Sequence, residues 1–569
     1  MISVDLQTMF YALILSLTVG TPLLLAGFCC TPLERTVKGF LPWATLPAFL
    51  AVLAVPVDVV VEVPWFFMGG RMGLDETGRI FLGLSAFIWL LAGFSSSNLL
   101  KNDRNQNRFL VFFLTAMAGN FGLIIACGIL GFYLFFAMMS FAAYGLVVHK
   151  QTDDAAKAGR IYLTLVMIGE VALCTALLIL VHTTGSLAIE KIAGVVYQPL
   201  PLALLFIGFG VKIGALPLHG WMMPAYQATP IPAAAVLAGA MVNAGILGWL
   251  RFLPPGQTSC QQGAILFIVA GALAAVYGVF IGLNQKQAGA VLGCSSISQM
   301  GLITVIFGLG LLDHDAGLHA APVLIMYVVH HSLAKSSLFF GYDLVKRKGK
   351  AISRLQMTAI LLPGLALAGL PFTSGAIAKT AFKELAATLG DPWYSLSAFF
   401  LPITAMGTSL LILHFMSVLN RTSGGSPEPG RTESKIIFIV SFIAAAITLW
   451  LWPAARDSAS HSLIGIKLVH ALWPVAGGWL LFFIWSRIFP FAAILPKDQN
   501  KQTVFDDIFF TATRVVQEKK WQAPQQGRLN PYLDKIIPLL RKSEKITGRW
   551  KVVGLSYIVL CLCLLLLLL

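Results

Sequence analysis

Ionisable side chains stand inside several apolar runs of this chain: Glu170 in VMIGEVALC, Lys212 in GFGVKIGAL, His330, His331 and Lys335 in MYVVHHSLAKSSLFF, Lys379 and Lys383 in TSGAIAKTAFKE, and His414 in LILHFMSV. A charged group at mid-bilayer depth costs about 2.5–3.5 kcal/mol on insertion scales, so each is a candidate for function. Lysine, carboxylate and imidazole at that depth offer one chemistry in common, the holding and passing of a proton. Lys212 and Lys379 are set apart because each adjoins a helix interruption. Lys212 precedes Pro217, with His219, Pro224, Pro230 and Pro232 close behind; Lys379 follows Pro371 and the run Thr373-Ser374-Gly375. Proline removes a backbone donor and clashes with the preceding turn, so both helices are expected to open there. Freed backbone groups at membrane depth are tolerated only where they line a wet or protein-filled cavity. Two broken helices in corresponding halves, each with one lysine, are the sequence pointer to paired ion sites in a transporter.

His331 and Lys335 are four residues apart and share a helix face, an arrangement suited to a proton relay near neutral pH. Glu170 is the natural counter-charge for Lys212 if their helices touch, since moving the carboxylate's proton changes the lysine's hold on its own. Lys383 reads as a side chain that snorkels to the headgroups, and His414 as a hydrogen-bonded packing residue.

The elements that position these groups follow from composition. The chain has 569 residues, 57% hydrophobic and 11% charged, with a mean hydropathy of +0.81. That balance makes the bilayer its main solvent. Spanning the hydrocarbon core takes about 20 apolar residues as a helix. Runs of that kind lie near residues 8–30, 40–62, 79–100, 109–127, 129–149, 160–182, 197–215, 232–252, 263–283, 287–308, 320–345, 355–388, 394–419, 434–454, 466–490 and 550–569. The expected fold is an all-α polytopic membrane protein of about 14–16 transmembrane helices. The opening MISVDLQ lacks a basic stretch and no small-residue cleavage site follows, so the first run reads as a retained helix.

Lys and Arg concentrate in the loops after odd-numbered runs, among them Arg35, Lys38, Lys101, Arg104, Lys150, Lys157, Lys286, Lys346, Arg347 and Lys348. The positive-inside rule then puts those loops in the cytoplasm, both termini outside and the basic segment 497–549 on the cytoplasmic side. The net charge of +15 is this bias; it is scattered among loops instead of forming a groove, which argues against nucleic acid. Neither the eight cysteines nor the histidines have metal, iron–sulfur or haem spacing, and no Gly-rich phosphate loop follows a strand. The chain is therefore expected to carry no metal, redox cofactor or nucleotide.

At this point the residues carry a resemblance. K-x-x-x-x-P-L-H-x-W-M-x-P-A from Lys212, continuing P-I-P-A-A-A-V-L-A-G, resembles the signature of the antiporter-like subunits of respiratory complex I, membrane-bound hydrogenases and Mrp-type cation/proton antiporters. GLDETGRIFLGLSAFIWLLAG (73–93), QKQAGAVLGCSSISQMG (285–301), HHSLAKSSLFF (330–340) and LPFTSGAIAK (370–379) are similar to further stretches of that family, in order. The resemblance implies three N-terminal helices (1–108), two inverted five-helix repeats (109–252 and 263–419), two more helices (434–490), a lateral amphipathic segment (491–549) and a last helix (550–569). Residues 503–545 fall where that lateral segment is expected, but its amphipathic part, ahead of Pro524, is short. The resemblance also implies a bacterial inner-membrane, proton-translocating subunit of a larger complex. Proton transfer would run through Glu170, Lys212, His219, His331, Lys335 and Lys379, with His330, Asn243 and His414 as accessory positions. Other membrane and cytoplasmic subunits would supply the driving reaction. Protons fit the lysines better than Na⁺ does.

Three positions depart from the family pattern: Ala137 stands where helix 5 usually carries a glutamate, Asn243 where helix 8 often carries a lysine, and Tyr327 where some members have a histidine. Two alternatives therefore stay open. One is an ion-conducting membrane partner of an inorganic-carbon uptake complex; the other is a structural subunit whose transport path has decayed.

Overall fold

The computed structural model describes residues 6–32, 34–57, 59–63, 70–99, 103–192, 198–257, 260–347, 353–422 and 431–488. The expected lateral segment at 503–545 and the last helix at 550–569 lie outside the described residues. Within them the chain forms fifteen apolar helical segments. They are α1 (Leu6–Phe28), α2 (Val37–Ala54), α3 (Glu76–Ser97), α4 (Gln106–Ile125), α5 (Ile129–Val147), α6 (Asp153–Thr184), α7 (Pro199–Ile213) and α8 (Ile231–Phe252). They continue as α9 (Gly263–Leu283), α10 (Ala288–Gly310), α11 (His314–Lys346), α12 (Arg354–Ala368), α13 (Trp393–Arg421), α14 (Thr432–Leu451) and α15 (Gly465–Ile484). Thirteen are long enough to cross a bilayer; α7 and α12 are the two that are not.

Those two are short because each is interrupted. After α7 a non-helical stretch leads to a short helix, Met222–Ala228, and after α12 the chain resumes as Ser374–Thr388. The long helices around them start and stop on ordinary signals. Thr152 caps α6 by accepting from the Ala155 amide at 3.2 Å, and Asp313 caps α11 in the same way at 2.7 Å. α8 contains a turn of π-helix at Leu237–Met241. α8 and α10 are buried along their length and α11 nearly so, whereas α15 is mostly exposed. The first three form the centre of the molecule.

One expected span proves shorter than its apolar run. Residues 40–62 do not form a single helix; α2 ends at Ala54, and Val60–Val63 (β1) pairs antiparallel with Gly70–Gly73 (β2). Pro56 stops the helix, and Val-Val-Glu-Val is a β-branched run with strand alternation. The hairpin is extended by bridges from Met72 to Ala126 and from Gly128 to Ala188. It thus laces together the connections that follow α2, α4 and α6. Arg251, at the end of α8, joins the same face by donating to the carbonyls of Leu123, Ile124 and Ala126 and to Asp75.

Connections after odd-numbered helices meet on the other face. His149 pairs with Asp103 at 2.9 Å and Asn105 with Gln151 at 3.1 Å. Lys150 donates to the carbonyls of Gln227 and Thr229. On the Asp103 carboxyl, burial works upward, but the Asn105 amide and His149 outweigh it and hold it below its ordinary value. Burial pushes His149 down. At the ends of α3 and α11 and the start of α14, Asp343 accepts from Arg347 (2.9 Å), Ser95 (3.2 Å) and Ser434 (3.0 Å), all buried.

Candidate functional site

The two interruptions use one local device. α7 ends at Gly214, φ +76°, and the amides of Gly214 and Ala215 both bond to the Gly210 carbonyl at 2.9 Å. α12 ends at Gly369, φ +90°, with Gly369 bonded to Ala366 at 2.9 Å and Leu370 to Leu365 at 3.0 Å. A left-handed residue closing a helix with a bond back across five residues is the Schellman termination, which glycine adopts without strain. A proline follows within three residues in each case, Pro217 and Pro371, so neither helix can simply resume.

What meets the freed carbonyls differs. In α7 the Val211 carbonyl accepts the Trp221 indole at 2.7 Å. In α12 the Ala368 carbonyl accepts the Lys379 ammonium at 2.6 Å, and the side chain of that lysine lies over Gly369, where a Cβ would stand 2.8 Å from its Cδ.

Because an indole caps α7, Lys212 is left for other partners. It is 3% exposed, donates to the Ser140 hydroxyl of α5 at 3.3 Å and stands 5.9 Å from the centre of the Phe136 ring. Glu170 of α6 stands beside the same hydroxyl, and Glu170 and Lys212 interact electrostatically. Glu170 is 5% exposed and its Oε2 has no hydrogen-bond partner among the described residues. α6 and α7 come this close because Gly169 faces Val211 and Gly208 faces Leu173, where a Cβ would stand 3.0 Å and 2.8 Å from the facing Cβ atoms. The arrangement is a lysine and a carboxylate flanking one hydroxyl. That hydroxyl accepts from the ammonium and has a proton of its own to give, so a rotation toward the carboxylate would let a proton pass between the two groups.

The central groups lie on α11. Lys335 is fully buried, donating to the Ser295 hydroxyl at 2.8 Å and to the Leu292 carbonyl at 3.3 Å, both on α10. His331, one turn earlier, is also fully buried, and neither ring nitrogen has a partner among the described residues. Asn243 follows the π turn of α8 and links it to α11 by donating to the Gly239 carbonyl and the Ser332 hydroxyl, both at 2.8 Å. His330 bonds Ser374, the first residue after the α12 break, at 2.9 Å, and Ser374 donates to the Ala445 carbonyl at 2.8 Å. Buried polar atoms lacking a protein partner are where ordered water sits.

Two candidates stand apart from this group. His219 lies in the α7 interruption, its ring edge-on to Tyr277 at 4.7 Å. His414 bonds the Gln285 carbonyl at 2.8 Å and ties the end of α13 to the α9–α10 connection. The sequence reading missed the partners Ser140, Trp221, Ser295 and Ser374, and the buried Asp343–Arg347 pair. The last had a signal, opposite charges at i and i+4.

A model of the transmembrane part of the NADH:quinone oxidoreductase/Mrp antiporter family matches residues 126–407, which include both interruptions and every group just described except His414 and the Ala445 carbonyl. The chain belongs to this family. It is 28% identical over 309 residues to hydrogenase-4 component B of Escherichia coli (strain K12), an alignment covering 51% of this chain and 44% of that protein. It is 28% identical to NADH-quinone oxidoreductase subunit N of Desulforudis audaxviator over 426 residues, 68% of this chain and 82% of that one. With the putative antiporter subunit mnhA2 of Staphylococcus saprophyticus it shares 27% over 381 residues, 60% and 46% of the two chains. The chain thus spans under half the length of the first and third of these relatives. Its fold matches a chain of the Mrp complex from Dietzia sp. DQ12-45-1b with a TM-score of 0.71 over 95% of this chain and 63% of that one, at 18% identity. A chain of the archaeal membrane-bound sulfane sulfur reductase matches at 0.67, covering 82% and 99%, again at 18% identity.

Proposed function

We propose that this antiporter-like subunit translocates protons, with no redox chemistry of its own, as one membrane subunit of a larger complex of the complex I or hydrogenase kind. The observation that supports this most is the Lys212–Ser140–Glu170 group at the open end of α7. Lys379 and Lys335 each donate to a backbone carbonyl; Lys212 instead donates to a hydroxyl that stands beside a carboxylate. In this reading Lys212 holds the coupled proton, Glu170 sets its affinity, His331 and Lys335 carry charge across the centre, and Lys379 is the second gate. The loops after odd-numbered helices face the cytoplasm of a bacterial inner membrane. The ion is H⁺ rather than Na⁺, because the path is built from amines and imidazoles and not from clustered carboxylates.

The test is to purify the tagged chain with its native partners under mild detergent, identify them, and measure proton flux in vesicles for the parental and Lys212→Ala forms. Redox subunits beside it and a loss of flux in the variant support the proposal. Parental flux from Lys212→Ala and Lys379→Ala sinks it. A single large soluble zinc protein as partner would favour the inorganic-carbon reading instead.

A further inference from the structure

The short helix that follows the α7 interruption, Met222–Ala228, is packed against glycines at both ends. It begins with Met222, which is fully buried. The Met222 side chain lies against Gly214, the left-handed residue that closes α7 two positions after Lys212, where a Cβ would collide with the thioether. Its backbone lies against α10. A Cβ on Gly293 would stand 3.3 Å from the Met222 carbonyl oxygen and 2.9 Å from the Met223 Cα. One turn earlier on α10, a Cβ on Gly289 would stand 2.9 Å from the Tyr226 carbonyl oxygen and 3.0 Å from the Gln227 Cα. Backbone therefore meets backbone at two points along both helices, and at Gly293 no flexible side chain stands between to absorb a shift.

The α10 turn that Met222 touches is the one that holds Lys335. The Leu292 carbonyl, which shares a peptide unit with the Gly293 nitrogen, accepts from the Lys335 ammonium at 3.3 Å, and the Ser295 hydroxyl accepts from it at 2.8 Å. At 3.3 Å the bond to the carbonyl is long, so a small displacement of that peptide either makes it or breaks it. The far end of the short helix is held. Lys150 donates to the Gln227 and Thr229 carbonyls at 3.4 Å and 3.5 Å, and the Tyr226 ring stands edge-on to Phe339, one turn past Lys335, at 5.7 Å. About 9 Å of helix thus has an anchored end and, at Met222, an end wedged between the Lys212 helix and the groups around Lys335.

Resting on the proton-translocation reading above, we infer that Met222 couples the two buried lysines: it carries movement of the α7 end through Gly293 to the Leu292 carbonyl, so that the charge on Lys212 sets how firmly Lys335 is held. A proton gained or lost changes what Lys212 can bond, and with it the position of the helix end that carries Gly214. Close-packed groups pass such a shift on because there is no free space to dissipate it, and an unbroken series of contacts joins the two sites. Met222 bears no proton itself. It is a positioning residue acting through Gly293, and Lys212 and Lys335 remain the proton-bearing groups.

The experiment uses the full chain with its native partners, in membrane vesicles for proton flux and in mild detergent for hydrogen exchange of residues 288–296. Lys212→Met is expected to change exchange in that segment of α10 by roughly threefold or more. With Met222→Ala in the same chain that response should be lost. Met222→Ala alone should slow flux roughly tenfold, with the amount of assembled chain unchanged. Met222→Leu, of similar volume, should keep most of the response and of the flux. A merely structural role would not make the answer of α10 to Lys212 depend on residue 222. Should Met222→Ala fail to assemble, Gly293→Ala displaces the same contact from the α10 side and must abolish the response as well. No response of residues 288–296 to Lys212→Met, a response that Met222→Ala leaves intact, or parental flux in Met222→Ala each overturn the coupling, while loss of flux in Lys212→Ala keeps the wider reading. Parental flux in Lys212→Ala defeats that reading instead.

Discussion

α7 and α12 begin their interruptions identically and finish them differently. Each ends at a left-handed glycine, Gly214 or Gly369, with a bond back across five residues and a proline soon after. In α12 the lysine is on the far side of the break and closes it, its ammonium on the Ala368 carbonyl. In α7 the lysine is on the near side, and Trp221 closes the break on Val211. A cation at a helix C-terminus is favoured by the dipole and by the orphan carbonyls, so Lys379 does structural work wherever its proton goes. Lys212 is released from that work, and its retention calls for another reason.

The largest effect expected from this contrast is on Lys212→Met. Proton flux should fall by about a hundredfold or more, the scale of losing a positioned proton-transfer group, while thermal stability in detergent falls less than in Lys379→Met, because Glu170 can take up a proton once its cation is gone. Lys379→Met should lower both. It orphans the Ala368 carbonyl, costing about 1–3 kcal/mol, seen as a lower unfolding midpoint. Equal stability losses in the two variants would erase the distinction. Trp221→Phe sharpens it from the other side. The Val211 carbonyl loses its indole donor but keeps the Gly214 amide at 3.2 Å, so stability should drop by about 1 kcal/mol, and flux should fall only as far as Lys212 swings to the vacated side of that carbonyl. Gly369→Ala should cost about 1 kcal/mol for placing a side chain at positive φ and displace the Lys379 stem, with less effect on flux than Lys379→Met.

The smallest change lies outside both breaks. The Asp103 carboxyl is held below its ordinary value, so its contribution is full above that value and lost as pH falls through the folded one. Hydrogen exchange should show residues 103–109 loosening on acidification ahead of either interruption.

Much of this architecture can be read from residue order. Apolar runs give the segments, and Gly-Ala-Leu-Pro and Gly-Leu-Pro announce both breaks. The segment 40–62 misled because hydropathy averages over a β-branched run without registering its alternation. The lysines are legible because charge in an apolar run is conspicuous, but their partners are not. Ser140 lies 72 residues from Lys212 and Ser295 lies 40 from Lys335, and spacing fixes which face a side chain takes, not which helix it meets. A serine in a membrane helix is also chemically unremarked until an ammonium stands beside it.

The π-helical turn of α8 has a consequence in phase. Leu237–Met241 spends one residue more than an α-turn would, so everything after it is rotated by about 100° relative to an unbroken helix. That offset sets Asn243 on Ser332 and Arg251 on Asp75 and the α4 carbonyls at once. Deleting a single residue within 237–241 would leave the composition of α8 almost untouched yet turn both groups away from their partners together. The turn works as a vernier: one extra residue sets the alignment of a central amide and a surface anchor two turns apart.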